Sequence, residues 1–210
     1  MGSRWGTGRV EAFSDGVFAI AITLLVLDIA VPARDLDDLW RGIAHQWPSY
    51  LAYATSFITI GGIWLAHHGI FRQLQYADAL IMRLNLVLLM AVSFLPFPTG
   101  LMAEAIRDTD AERAAVVFYG ATLLLISILL RVLWGAVVQH PDLLNSDVSE
   151  QDIKANRRVT TPNIGFYAAV IALSVLLPKA AVFGYLVIAI AAVWRARGDE
   201  LPQPRGAEVA

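Results

Sequence analysis

Few residues in this chain have chemistry to offer, and they sit near the ends of long apolar runs. Arg9, Ser14 and Asp15 lead the first run, Trp64, His67 and His68 close the second, and Arg83 and Asn85 open the third. Ser14 with Asp15 and His68 contains the residue types of a nucleophilic triad. Ser14 and Asp15 are consecutive, however, so on a helix they point to different sides, which is poor triad geometry. A membrane enzyme is therefore the weakest reading, and no catalytic residue is expected. His67 and His68 are adjacent and do not share a helix face. The chain has no H-x-x-x-H or H-E-x-x-H spacing and no cysteine, which argues against a zinc site and removes disulfides and thiol chemistry. Histidines that pack or join a hydrogen-bond network are the better reading, and no metal or cofactor is expected.

The elements that must position these groups are membrane helices. Of 210 residues, 57% are hydrophobic and only 16% charged, an apolar share above that of ordinary soluble domains. Net charge is near zero with no long basic run, so nucleic acid is not a partner. A bilayer span needs about 20 predominantly apolar residues. Six stretches qualify, at roughly 12–31, 48–66, 80–103, 114–138, 160–178 and 180–195. The last two are short and separated only by Pro178 and Lys179, so they form either a tight hairpin of two spans or one re-entrant element. The first stretch is not read as a signal peptide, because Glu11 and Asp15 fall where a signal carries only positive charge and no A-x-A site precedes Pro32.

Basic residues set the orientation. With the N-terminus inside, one face carries Arg4, Arg9, Arg72, Arg83, Lys154, Arg157, Arg158, Arg195, Arg197 and Arg205, and the other only Arg34, Arg41, Arg107, Arg113 and Lys179. Both termini are thus expected in the cytoplasm of a cell that holds the chain in its inner (cell) membrane. Residues 1–197 form one six-helix transmembrane domain, and 198–210, with Gly, Pro and mixed charges, read as a disordered cytoplasmic tail. Pro96 and Pro98 predict a kink or end in the third helix, and Gly61 and Gly62 close helix packing.

On a helical wheel Phe13, Ile20, Leu24 and Leu27 share one stripe with Thr23 at its margin, while Asp15, Phe18, Ile22 and Leu25 lie on roughly the opposite side. Polar groups inside a membrane need partners. Trp64, His67, His68 and Asn85 lie at the same end of their helices, and Asp15 can accept a hydrogen bond from a Trp or His there.

Arg9, Phe13, Ser14 and Asp15 form an R-x-x-x-F-S-D motif at the start of the first span. It resembles the signature of the transmembrane protein 175 potassium channels in their short prokaryotic form. The likeness extends to six predicted spans, the Trp and His of the second helix, and the Asn and prolines of the third. The resemblance implies an all-α integral membrane protein with six transmembrane helices per subunit, the first helix lining the central pore of a homotetramer. It places the narrowest ring at the bulky residue five positions after the motif aspartate, here Ile20. A hydroxyl layer falls on Thr23, and further aliphatic layers on Leu24 and Leu27. The resemblance implies potassium and other monovalent cations as the permeant ions, and it allows proton permeation.

Read from the residues, Ile20, Leu24 and Leu27 span about 10 Å of helix axis, a length suited to a hydrophobic constriction. Such a ring closes by dewetting, and when open it favours ions that dehydrate cheaply, giving modest preference for potassium over sodium. Asp28 marks the outer mouth, where Asp35, Asp37 and Asp38 would add an acidic field. The same loop is more often a solvated turn, and an aliphatic stripe is more often a packing or lipid-facing surface. The rival from another class is an ion-coupled secondary transporter with Arg9, Asp15, His67 and His68 as its coupling-ion site, which repeats or broken helices would support.

Overall fold

The computed structural model describes residues 5–30, 37–106, 109–146, 148 and 162–197. These form helices α1 (Gly8–Leu24), α2 (Leu39–His45), α3 (Trp47–Phe71), α4 (Ala79–Phe94), α5 (Pro96–Ala105), α6 (Thr109–Val138), α7 (Pro162–Leu176) and α8 (Pro178–Arg197). Two short strands, β1 (Trp5–Gly6) and β2 (Tyr76–Ala77), and 3-10 turns over Leu25–Asp28 and Pro141–Leu143 complete the described elements. Five stretches are long and apolar enough to cross a membrane: Gly8–Asp28, Trp47–Phe71, Ala79–Ala105, Ala111–Val138 and Pro178–Arg195. The expected fifth span is the shorter helix α7. At 1.5 Å per residue its 15 residues reach about 22 Å, less than the roughly 30 Å of a hydrocarbon core. The tail, the loop segment 149–161 and Asp35 lie outside the described residues.

Local chemistry explains the breaks. Asp78 caps α4 by accepting from the Ile81 amide at 2.9 Å. The third span is interrupted after Phe94 because Pro96 and Pro98 cannot donate to carbonyls one turn back. The Leu95 amide meets the Val92 carbonyl at 3.1 Å in place of Pro96, and the helix resumes with the Thr99 amide and hydroxyl both on the Leu95 carbonyl, at 3.2 and 2.8 Å. Pro178 starts α8 directly after Leu177, so α7 and α8 are two separate helices, not one continuous element. Gly184 lets them approach closely: a Cβ there would lie 3.2 Å from both methyls of Val170. Of the two glycines expected to pack tightly, Gly62 does so, facing Val193 and Ala192 of α8, whereas Gly61 faces open space.

The core runs through the bundle as one cluster that includes Phe18, Ile60, Phe71, Leu88, Tyr119, Trp134 and Tyr185. One pole gathers the N-terminus of α1, the α3–α4 turn and the end of α6. There β1 pairs antiparallel with β2 (Trp5 opposite Ala77, Gly6 opposite Tyr76), and Leu74 bridges to Leu144. The Gln75 amide donates to the Leu143 carbonyl and the Asn145 amide to that of Gln73. The pole is thus tied by backbone bonds, although no single stretch there reads as a strand by period. At the opposite pole Asp28 packs against Gly100 of α5.

Candidate functional site: the first helix and its polar anchor

Helix α1 has two unlike sides. Val10, Ser14, Phe18, Ala21 and Leu25 recur at helical spacing and are buried against α3 and α4. Phe13, Ile20, Leu24 and Leu27 face outward, with Ile20 61% and Leu27 71% exposed. The α-helix ends at Leu24 and tightens into a 3-10 turn over Leu25–Asp28, so Leu27 sits on the tightened segment. Thr23 is exposed, and its hydroxyl donates to the Ile20 carbonyl at 2.9 Å. Its proton is therefore used within the helix and its lone pairs remain free to meet water or a cation.

The inner side is held by a directional hydrogen-bond chain. Ser14 donates to the Val10 carbonyl at 2.8 Å, which leaves its oxygen to accept from Asn85 Nδ2 at 3.0 Å. That orientation of the Asn85 amide turns its Oδ1 toward His67 Nε2, 2.8 Å away, so His67 is the Nε2–H donor. The His67 ring is buried, stacked on Phe71 (centroids 4.5 Å apart) and tilted against Phe18 at 5.3 Å. One residue from each of α1, α3 and α4 is thereby locked in register.

Asp15 belongs to a separate contact. The wheel places it opposite the aliphatic stripe, yet in the structure it is exposed on the flank of α1. There it accepts from Trp64 Nε1 at 2.8 Å. The reason is angular: Asp15 lies one residue past Ser14, about 100° around the helix, so only one of the two can enter the core. Trp64 in turn stacks on His68, whose Nδ1 lies 3.9 Å from Glu11, a neighbour not singled out from the sequence. Arg9 and Phe13 of the motif are exposed, and Arg9 makes no polar side-chain contact among the described residues. Arg9, Asp15, His67 and His68 share no direct hydrogen bond: His67 pairs with Asn85, Asp15 with Trp64, and His68 faces Glu11. Among the described residues no group of three His, Asp or Glu side chains is placed to hold a metal.

At the far end of the 3-10 turn after α1, Asp28 is exposed beside Gly100 and near Glu104. Asp38 serves instead as a helix cap, accepting from the Arg41 amide at 3.2 Å. A second polar cluster, missed in the sequence, joins α3, α5 and α6: Ser56 bonds Thr99 at 2.8 Å and Tyr119 at 2.9 Å. The helical spacing of Thr55, Ser56 and Thr59 was its available signal.

The family model described as the endosomal/lysosomal potassium channel TMEM175 matches residues 9–96, the segment that carries α1, α3 and α4. A potassium channel of Streptomyces collinus is 41% identical over 162 residues, covering 76% of this chain and 79% of that one. The chain belongs to the TMEM175 family. A crystal structure of a lysosomal potassium-selective TMEM175 homolog from Chamaesiphon minutus superimposes with a TM-score of 0.77 at 38% identity, over 90% of this chain and 97% of the other. The chicken endosomal/lysosomal proton channel TMEM175 is 36% identical over 141 residues, which is 63% of this chain but 28% of that longer protein. The TMEM175 fold is therefore predominantly helical and membrane-embedded here, and it is the fold of a channel, not of an enzyme.

Proposed function

We propose that this chain is a subunit of a homotetrameric, potassium-permeable channel in the cell membrane, with both termini cytoplasmic and α1 lining the pore. The observation that carries the reading is the outward aliphatic stripe of α1, set opposite a face locked by Ser14, Asn85 and His67. A single bundle turns this stripe away from its own core, so enclosing a pore with it takes further copies of the chain. Four copies would bring Ile20, Leu24 and Leu27 together as stacked apolar rings with Thr23 between them. Ile20 forms the constriction, where an apolar ring blocks ions by dewetting and passes them when it widens. The Thr23 hydroxyls, their protons committed to the Ile20 carbonyls, offer oxygen lone pairs to a dehydrating potassium ion. Potassium is cheaper to dehydrate than sodium, so selectivity is modest. Asp28 at the outer mouth attracts cations, and the animal relatives named as proton channels support proton permeation as well.

The test is potassium flux from liposomes containing the purified protein, with sodium run in parallel. Passive potassium flux, raised by Ile20→Asn together with loss of preference over sodium, supports the constriction. Folded protein that gives no passive flux in either form sinks the open-channel reading.

A further inference from the structure

Away from α1, a small cavity lies among α3, α6, α7 and α8. Gly62, Ala66 and Ala192 leave it open by their small size, and the hydroxyl-bearing residues Thr59, Ser127 and Tyr167 line it. Its room for the centres of water molecules is about 30 Å³, where roughly 10–15 Å³ suffices for one. Tyr167 is only 4% exposed, and among the described residues neither it nor Ser127 has a hydrogen-bond partner. An unpaired hydroxyl at membrane depth is costly, because no lipid group can replace the lost bond. Thr59 offers the complementary half: its hydroxyl donates to the Thr55 carbonyl at 2.7 Å, so its lone pairs are left over.

We propose that this cavity is an internal hydration site, with ordered water held by Thr59, Ser127 and Tyr167. The water accepts from the Tyr167 and Ser127 hydroxyls and donates to Thr59 Oγ1, the three bonds usual for a buried water. Both unpaired hydroxyls are satisfied by one ligand. The same water extends an existing chain of hydroxyls, since Thr59 lies against Tyr119, Tyr119 bonds Ser56, and Ser56 bonds Thr99. No lining residue belongs to α1 or α4, so the site is independent of the pore assignment.

Radiolytic footprinting of the full-length protein in nanodiscs, in ¹⁸O-labelled water, tests it directly. A hydrated site delivers label to Tyr167 several-fold faster than to Trp134, a buried aromatic that does not line this cavity, and Thr59→Val cuts that labelling. Labelling of Tyr167 no faster than of Trp134 overturns the site. The melting temperature gives a second reading of opposite sign. With water present Tyr167→Phe breaks a hydrogen bond and lowers it; with a dry or lipid-filled cavity the change removes an orphaned hydroxyl and raises it.

Discussion

Replacing Asn85 by leucine removes the donor to Ser14 and the acceptor for His67 while keeping side-chain volume close to constant. No cavity is created, so the loss reports on hydrogen bonding. Interhelical hydrogen bonds in membrane proteins average about 0.6 kcal/mol in double-mutant cycles, so the two broken bonds account for roughly 1 kcal/mol. Ser14 keeps its bond to the Val10 carbonyl, but the His67 Nε2–H is stranded between Phe18 and Phe71. An orphaned buried donor adds about 1–3 kcal/mol. The expected destabilisation is therefore about 2–4 kcal/mol, read from detergent-induced unfolding in bicelles by tryptophan fluorescence. Ser14→Ala should cost about 1 kcal/mol in the wild-type background and almost nothing beside Asn85→Leu, because its partner is already gone. A loss below about 0.5 kcal/mol for Asn85→Leu, or additive single effects, would refute the chain of bonds as the anchor of α1.

Three further outcomes follow from the same geometry. Asp15→Asn retains the oxygen that accepts from Trp64 and should keep flux near the wild-type level, whereas Asp15→Ala should reduce it; loss of the Trp64 indole N–H shift in the asparagine variant would contradict this. Gly120→Ala drives a methyl into the Tyr185 hydroxyl and to 2.7 Å from Ile171, so thermal unfolding should fall by the equivalent of about 1–3 kcal/mol; an unchanged or higher melting temperature counts against the packing described. Gly100→Ala has the flexible carboxylate of Asp28 as its nearest neighbour, at 2.8 Å, and should leave stability within about 0.5 kcal/mol of wild type. It should nevertheless alter single-channel potassium current by displacing Asp28, and an unaltered current would remove Asp28 from the conduction path.

Much of this architecture was legible in the chain because membrane helices obey one-dimensional rules. Length and hydropathy locate a span without reference to its neighbours, which is why α1, α3, α6 and the α4–α5 pair fall where the apolar runs do. Prolines act on the backbone a turn away, so the break at Leu95 was also readable. That Phe13, Ile20, Leu24 and Leu27 share one stripe follows from the 3.6-residue period alone; that this stripe faces outward was decided by packing, because the opposite side of the helix is apolar too.

What the period cannot say is which of several polar residues meet. Ser14 and Asp15 are neighbours in sequence with opposite fates: one is buried under Asn85 and His67, the other held at the surface by Trp64. Sequence alone named Arg9, Asp15, His67 and His68 as one possible cluster, but not that Asp15 bonds Trp64 and His67 bonds Asn85, because each contact depends on the rotation of α3 and α4 against α1. The strand pair beside the start of α1, the Ser56–Thr99–Tyr119 cluster and the cavity at Tyr167 were likewise decided only in three dimensions. They join residues far apart in the chain, and a hydroxyl on an apolar helix looks the same in sequence whether it faces a partner, a void or lipid.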